Sequence, residues 1–258
     1  MQRPKKIGSG ANFCQIGLLS LVVIGAGTYY YNSIYQVNAS DLAVSGIVNN
    51  RLASSTFRQK NRDFFKSQGL VYLDHPEVVS SVAKSLPVEQ TERYLANPKH
   101  FAGLGKRYGR LVAQGYMAPL SIRFINDQIG YGVFAEADIA EGEMVGEYTG
   151  QINDTATLKT TKYTWVYPVT HDQRGKPVSL SLDALKFGNE MRYVNHDYKP
   201  NAAMQTIPQG GIWHIVYIAN RPIKKGEQIL TNYGTGYWGG SRGAPFQFVN
   251  EDGTQKGV

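Results

Sequence analysis

The C-terminal half of the chain consists of short runs of β-branched and aromatic residues divided by Gly, Pro, Asn and Asp. This pattern is typical of short strands joined by tight turns. Since no long helical segments separate the runs, several small twisted sheets are expected and a parallel sheet with crossover helices is disfavoured. The predicted strands are Ser121–Ile125, Gly132–Ala135, Met144–Tyr148, Tyr163–Val169, Val178–Leu182, Ala203–Ile207, Ile212–Ile218 and Gln228–Thr231, with a hairpin turn at Gly210–Gly211.

Residues 57–118 have a helical pattern and are predicted to form a helical lobe ahead of the strands. Asp74 is a candidate N-cap with Pro76 in the first turn, where the missing N–H of proline costs nothing. Pro87 and Pro98 divide the segment into separate helices, and Gly115 is the expected stop of the last one. The predicted fold class is therefore α+β and mainly β.

Three polar segments interrupt the predicted strands. The first is Gly130-Tyr131-Gly132, followed by Glu147-Tyr148-Thr149-Gly150; the second runs from Arg192 through Asn195-His196 to Pro200-Asn201; the third is Gly226-Glu227 followed by Asn232-Tyr233-Gly234. Taken singly, they are better explained as a strand-entry turn, a structural polar turn and core packing, in that order. The first is not a dinucleotide fingerprint, because no third glycine opens a helix.

In this order and spacing, the three segments resemble the SET-domain lysine methyltransferases over about Ser121 to Trp238. The resemblance implies a fold of small twisted sheets in which the Asn-His segment threads beneath a C-terminal loop as a pseudoknot. Three residues depart from the family pattern. Asp197-Tyr198 stands where Ser-Cys is common, and Asn232 stands where Asp is usual. The cysteine-rich, zinc-binding flanks of many histone-directed members are also missing.

The resemblance implies an enzyme that transfers a methyl group from S-adenosylmethionine to a lysine side chain of a protein, with histones among the candidate substrates. It implies catalytic roles for Tyr233 and Tyr148. The implied donor-binding residues are Gly130, Tyr131, Gly132, Arg192, Asn195, His196 and Trp238. The implied residues of the lysine channel are Tyr148, Thr231, Met204, Tyr163 and Tyr237. Because Thr231 and Met204 carry no phenol hydroxyl, di- or trimethyllysine is the expected product.

The implied chemistry is an in-line displacement at a methyl carbon, so no metal is expected. The chain has one cysteine, Cys14, and its five histidines show no ligand spacing, so a structural zinc site is not expected either. The net charge of +7 comes from the part before residue 119, and the C-terminal half is nearly neutral. The basic part fits phosphates, anionic lipid or merely a solvated surface. No direct nucleic-acid binding is predicted.

The N-terminal segment from Phe13 to Tyr31 is apolar and follows Arg3, Lys5 and Lys6. At a rise of about 1.5 Å per residue it is roughly long enough to cross a bilayer. A membrane anchor, a cleaved secretory signal and a buried helix are all open. The predicted organisation is residues 1–37 as anchor or signal, 38–56 as linker, 57–118 as helical lobe, 119–238 as SET domain and 239–258 as post-SET tail.

The anchor conflicts with the chemistry, because S-adenosylmethionine is a cytosolic metabolite. Association with a membrane, with the catalytic half where the donor is available, and secretion into a host cell as an effector both resolve the conflict. Two alternatives to an enzyme acting on histones are also open. One is an inactive SET-like binding module held at a membrane, and the other is a methyltransferase for a non-histone protein.

Overall fold

The structure, a computed structural model, describes residues 43–160 and 162–233. Within these ranges the helices cluster before residue 114. They are α1 (Ala43–Ser67), α2 (Ser81–Ser85), α3 (Glu92–Ala96) and α4 (Pro98–Ala113), with short 3-10 helices at Val88–Gln90, Thr155–Thr157 and Glu190–Tyr193.

The strands of the described residues are all eight residues long or shorter. They are β1 (Val71–Tyr72), β2 (Glu77–Val78), β3 (Leu120–Asn126), β4 (Gly130–Ala135), β5 (Met144–Tyr148), β6 (Gln151–Asp154), β7 (Thr164–Tyr167), β8 (Leu180–Asp183), β9 (Phe187–Gly188), β10 (Asn195–His196), β11 (Ala202–Gln209), β12 (Ile212–Ala219) and β13 (Leu230–Thr231).

These strands form five small sheets, which confirms the predicted α+β, mainly β, fold class. The largest has the order β2-β6-β8-β7, and the next has the order β11-β12-β5. The other three are the pairs β3-β4, β1-β9 and β10-β13. In the last pair the two strands run parallel, with Asn195 opposite Leu230 and His196 opposite Thr231. The Asn-His segment and the C-terminal segment are therefore direct neighbours, as the threaded arrangement requires.

Helix α4 closes one side of the β11-β12-β5 sheet. Its first turn is fixed by the Asn97 side chain, which accepts a hydrogen bond from the backbone N–H of His100, and by Pro98 at the first position. After the helix, Gly115 has φ +58°, a conformation that favours glycine. The predicted stop at Gly115 thus lies within two residues of the observed end. The buried side chains of the helix include Tyr108 and Val112.

The predicted helix start at Asp74 is wrong. Glu77 and Val78 instead form the edge strand β2, parallel to β6, and the next helix begins at Ser81. The backbone N–H of Glu77 donates to the carbonyl of Gly150 at 2.9 Å, so tertiary pairing outweighs the local helical pattern. Asp74 does not cap a helix; its carboxylate binds the guanidinium of Arg62 at 2.5 Å.

The predicted linker over residues 38–56 is wrong from Ala43 onward, because residues 43–56 belong to α1. Serine and asparagine are frequent there, but apolar residues recur in the sequence at positions 44, 47, 48 and 52, which is helical spacing. The region 57–118 also contains β1 and β2. Its buried side chains Val88 and Phe101 belong to the same core cluster as Trp213 of β12. The N-terminal helices thus contribute to one core with the strands.

Within residues 43–160 and 162–233, no helix has the length and apolar character to cross a membrane. The predicted anchor or signal at residues 13–31 lies outside the described residues, as does the predicted post-SET tail.

Candidate active site

An aromatic cluster lies on one face of the β11-β12-β5 sheet. Tyr148 at the end of β5 and Tyr217 in β12 point to the same side, and their ring centroids are 6.5 Å apart. Trp165 of β7 packs edge-on against both, at 6.2 Å from Tyr148 and 6.4 Å from Tyr217. Both tyrosines are almost fully buried. The cluster is therefore a desolvated group of aromatic rings that carries phenol hydroxyl groups.

Burial keeps these phenols neutral. Desolvation, followed by the nearby phenols of Tyr217 and Tyr233, raises the pKa of Tyr148 well above its usual value. Desolvation and the neighbouring Tyr233 raise the pKa of Tyr217 in the same way, against a side-chain hydrogen bond with Trp165 that lowers it. At ordinary pH the two hydroxyls are hydrogen-bonding groups, and a phenolate base is not available from either.

Tyr233 is held by β10 and by the residue before it. Its backbone N–H donates to Nδ1 of His196 at 3.0 Å, and its hydroxyl donates to the carbonyl of Val194 at 2.7 Å. Tyr148 is held in a similar way, since its hydroxyl donates to the carbonyl of Tyr163 at 2.8 Å. Both hydroxyl hydrogens are therefore directed at backbone carbonyls, and the oxygen of the Tyr148 phenol retains its capacity to accept a hydrogen bond.

The Asn-His segment also holds the Gly-x-Gly loop. The side-chain amide of Asn195 donates to the carbonyl of Tyr131 at 3.1 Å. A Cβ at Gly132 would lie 2.6 Å from Nε2 of Gln228 and 3.2 Å from Nδ2 of Asn195, so only glycine fits there without a shift. Gly130 has φ +79°, and no atom lies within 4 Å of the position that a Cβ would take there. The loop is therefore closely packed against Asn195 at Gly132 and has open space beside Gly130.

His196 is buried, and burial lowers its pKa, although the charge of Asp197 opposes this shift. The neutral ring is the form that the contact to Tyr233 requires, because an unprotonated Nδ1 must accept the backbone N–H. The ring of Tyr198, which departs from the family pattern, packs edge-on against His196 at 4.6 Å. The departures at Asp197 and Tyr198 therefore both lie beside the histidine of the motif.

The glycine of Glu147-Tyr148-Thr149-Gly150 is explained by a close approach. A Cβ at Gly150 would lie 2.4 Å from the carbonyl oxygen of Asp183 and 2.7 Å from its carbonyl carbon. Both atoms are backbone and cannot move aside as a flexible side chain does. Gly150 thus brings the end of β8 against the chain just after Tyr148.

Of the remaining residues of the predicted channel, two contact the aromatic cluster and one lies beside β10. Tyr163 accepts the Tyr148 hydroxyl through its carbonyl, and Met204 pairs with Tyr217 across β11 and β12. Thr231 is buried opposite His196. Tyr237 and Trp238 lie outside the described residues.

Arg192, a predicted donor-binding residue, is largely buried between aromatic rings. Its guanidinium carbon lies 4.0 Å from the ring centroid of Tyr163 and 4.9 Å from that of Tyr193. It also donates to the carbonyl of Leu185 and to the hydroxyl of Tyr193, both at 3.1 Å.

Tyr217 was not among the site residues predicted from the sequence. The signal was present, because a period of two along the predicted strand 212–218 places Tyr217 on the same face as Trp213 and Ile215. What the sequence lacked was the register with β5, which sets Tyr217 opposite Gly146 and next to Tyr148. Among the described residues, no group of three or more His, Cys, Asp or Glu side chains has an arrangement that could hold a metal ion.

Residues 130–234 match the family model of the SET domain. The chain contains a SET domain. This segment includes the Gly-x-Gly loop, the three strands of the aromatic cluster, the Asn-His segment and Tyr233. In the solved structures, ATXR5 in complex with mono-methylated histone H3.1 has a similar fold, with a TM-score of 0.50, 16% identity and coverage of 72% of this chain and 90% of that one.

Two curated relatives are similar in sequence over this part of the chain. Histone-lysine N-methyltransferase ash1 of Drosophila melanogaster is 29% identical over 130 residues, which is 50% of this chain and 6% of that protein. Histone-lysine N-methyltransferase ASHH3 of Arabidopsis thaliana is 31% identical over 116 residues, which is 42% of this chain and 30% of that protein. The chain therefore spans less than a third of the length of these relatives, and the similarity concerns the SET domain.

Proposed function

We propose that the protein is an S-adenosylmethionine-dependent protein-lysine N-methyltransferase. The observation that carries this proposal is the meeting of two features within one SET domain. The phenols of Tyr148 and Tyr217 lie in a buried aromatic cluster, and the phenol of Tyr233 is near enough to raise the pKa of both. The Asn195-His196 strand holds both Tyr233 and the Gly-x-Gly loop. The relatives named above carry the name histone-lysine N-methyltransferase, which supports the same activity.

When bound, S-adenosylmethionine supplies an electrophilic methyl group on a positively charged sulfur. The chain supplies a cradle for it at Gly130, where the backbone is open, and at Asn195 and His196. The close fit of Gly132 against Asn195 is consistent with a loop that is held in a fixed position. A neutral His196 adds no positive charge near a cationic donor, and its lowered pKa favours that form.

The aromatic cluster prepares the lysine. An unperturbed lysine has a pKa of about 10.4, yet only the neutral amine is a nucleophile. Transfer into a pocket walled by Tyr148, Tyr217 and Trp165 disfavours the ammonium form. Since the Tyr148 hydroxyl donates to a backbone carbonyl, its oxygen can accept an N–H group of the amine and leave the lone pair of the amine directed at the methyl group. Alignment of this kind supplies a large part of a rate enhancement.

We further propose that the product is di- or trimethyllysine. The sequence predicts di- or trimethyllysine because Thr231 and Met204 carry no phenol. Tyr217 adds a buried phenol opposite Met204, so it is the residue to test. We expect mass spectrometry of the product to show dimethyllysine or trimethyllysine with saturating donor, and a larger share of the higher states with Tyr217→Phe. Monomethyllysine alone from both proteins would contradict the proposal.

The substrate and the cellular location are proposals as well. We propose a histone lysine, because of the names of the relatives, and a membrane-associated or secreted protein, because of residues 13–31. Fractionation with protease protection of the C-terminal half would test the location. A protein found only in the soluble fraction of its own cell would contradict it.

The experiment for the activity combines donor titration with transfer of a labelled methyl group to core histones and to a cell lysate. We expect saturable binding of S-adenosylmethionine by calorimetry and a labelled histone band. A labelled non-histone band would keep the activity and replace the substrate. No donor binding at millimolar concentration would instead favour the inactive binding module.

A further inference from the structure

Tyr163 has the backbone conformation least expected for its residue type. With φ +61° it is the one non-glycine residue with positive φ among the described residues. An aromatic residue is strained in this left-handed region and stays there only when its surroundings hold it. The conformation directs the Tyr163 carbonyl at two donors. It accepts the Tyr148 hydroxyl at 2.8 Å and the backbone N–H of Ala184 at 3.0 Å.

The surroundings that hold Tyr163 are dominated by Arg192. The guanidinium lies over the Tyr163 ring at 4.0 Å, the shortest cation–ring distance among the described residues. Arg192 is itself fixed on its other side by the carbonyl of Leu185 and by the ring and hydroxyl of Tyr193. A planar guanidinium can stack and donate at the same time, which an ammonium group cannot do.

We propose that Arg192 is a positioning residue for Tyr148 that acts through Tyr163. The stack of Arg192 on the Tyr163 ring holds Tyr163 at positive φ. That conformation places the Tyr163 carbonyl where it fixes the hydroxyl hydrogen of Tyr148 and keeps the phenol oxygen free to accept the substrate amine. The inference rests on the proposed function for its catalytic consequence, but the coupling from Arg192 to Tyr148 does not depend on it.

This role differs from the donor contact that the sequence resemblance implies for Arg192. The side chain is 8% exposed, and both of its terminal nitrogens donate to protein oxygens. Its remaining nitrogen, Nε, is buried. The positioning role therefore predicts that changes at Arg192 alter catalysis and leave donor affinity intact.

The first test is a series at Tyr163. Tyr163→Phe keeps the ring on the guanidinium and should lose the least activity of the series. Tyr163→Gly loses the ring but tolerates positive φ, whereas Tyr163→Ala loses the ring and keeps the backbone strain. We expect kcat to fall in the order Phe, Gly, Ala, with about a tenfold loss or more for Ala, because misplacement of a group by about 1 Å can cost two orders of magnitude. If Tyr163 only lined the channel, Gly would be no better than Ala.

The second test places the same changes in a Tyr148→Phe background. If Tyr163 and Arg192 act through the Tyr148 hydroxyl, Tyr163→Ala and Arg192→Lys should lower kcat by less than about twofold there, since coupled residues are not additive. The calorimetric Kd for S-adenosylmethionine should stay within about twofold in all variants. Arg93→Lys is the matched control, because Arg93 stacks on Phe101 at 5.5 Å on a different part of the fold. Full additivity, or loss of donor affinity with Arg192→Lys, would overturn the proposal.

A third readout needs no turnover. In protein with 13C-labelled tyrosine ring carbons, the Tyr148 signal can be assigned by its loss in Tyr148→Phe. It should shift in Tyr163→Ala and Arg192→Lys and stay in place in Tyr163→Phe and Arg93→Lys. An unmoved signal would overturn the inference even in an active enzyme. Absent methyl transfer with a shifted signal would count against the proposed function alone.

Discussion

The two faces of the β11-β12-β5 sheet are made from the same strands but differ in what they carry. One face packs on α4 through aliphatic side chains, with Val216 and Ile218 of β12 and Met144 of β5 in contact with Tyr108 and Val112. The other face carries the aromatic cluster at Tyr148 and Tyr217. The first face holds the helix in place, while the second carries phenol hydroxyl groups that are shielded from water.

The glutamate and the tyrosine of the Glu147-Tyr148 pair divide between these faces. Tyr148 joins the aromatic cluster, whereas the buried carboxyl of Glu147 contacts Nδ1 of His214 at 2.5 Å and lies 3.9 Å from Nδ1 of His75. Successive residues of a strand point in opposite directions, so one short motif contributes both a structural contact and a candidate site residue. Substitutions on the aromatic face should therefore change mainly activity, and substitutions on the face that packs on α4 should change mainly stability.

The largest expected contrast is between Tyr148→Phe and Val216→Ala. Tyr148→Phe should reduce kcat about 100-fold, because it removes a positioned hydrogen-bonding group. It should lower the free energy of unfolding by only about 1 kcal/mol, the contribution of one hydrogen bond. Val216→Ala should do the reverse, with a loss of about 2 kcal/mol in stability and a kcat within about twofold of the native protein.

Methyl-transfer kinetics and denaturant unfolding of both variants provide the check. Equal losses of stability from the two changes would mean that the faces are not functionally distinct.

A smaller effect is expected at the glycine of the same motif. Gly150→Ala introduces a Cβ 2.4 Å from the carbonyl oxygen of Asp183 and should cost about 1–3 kcal/mol of stability, as overpacking does. Gly103→Ala in α4 is the matched control. Nothing lies within 4 Å of its Cβ position, so it should stabilise the protein by about 0.5–1 kcal/mol. Thermal unfolding of both proteins measures the difference, and a destabilised Gly103→Ala would show that glycine has a further role in the helix.

The smallest effect is pH-dependent. The nearby carboxylate of Glu147 raises the pKa of His75, against burial; Asp74 favours and Arg58 opposes the same shift. A raised pKa means that the stabilising contribution is complete below about pH 6.5 and is lost as pH rises through the pKa of the folded state. His75 is half-exposed, so the contribution should be about 0.2–1 kcal/mol.

The check is the difference in Tm between the native protein and His75→Gln, which should be larger at pH 5.5 than at pH 8.5. The reverse trend would mean that His75 is held in the neutral form.

The sequence was most informative where the alternation of apolar residues and the position of turn residues predict the same strand. Met144–Tyr148 was predicted with the observed bounds, and the runs around β3, β4 and β12 differed from the structure by one or two residues. The errors came from segments whose structure depends on distant partners. Glu77–Val78 is a strand only because β6 lies beside it, and the two-residue strand β10 exists only through β13.

The site was partly predictable for the same reason. The motifs identified Tyr148, Asn195, His196 and Tyr233, because these residues lie at recognisable spacings. Tyr217 required the register of β12 on β5, and the contacts of Arg192 required the positive φ of Tyr163, neither of which has a local signature. Neighbours across strands decide which aromatic residue enters a pocket.

The central claim is that Tyr233, held by His196 and Val194, belongs to a lysine methylation site. The most direct test is transfer of labelled methyl from S-adenosylmethionine to core histones by the native protein, Tyr233→Phe and Tyr94→Phe. Tyr94 packs against Phe101 and Trp213 in the core and is the matched loss of a phenol hydroxyl. The account predicts a loss of about 100-fold or more for Tyr233→Phe and native transfer by Tyr94→Phe. Full activity in Tyr233→Phe would contradict it.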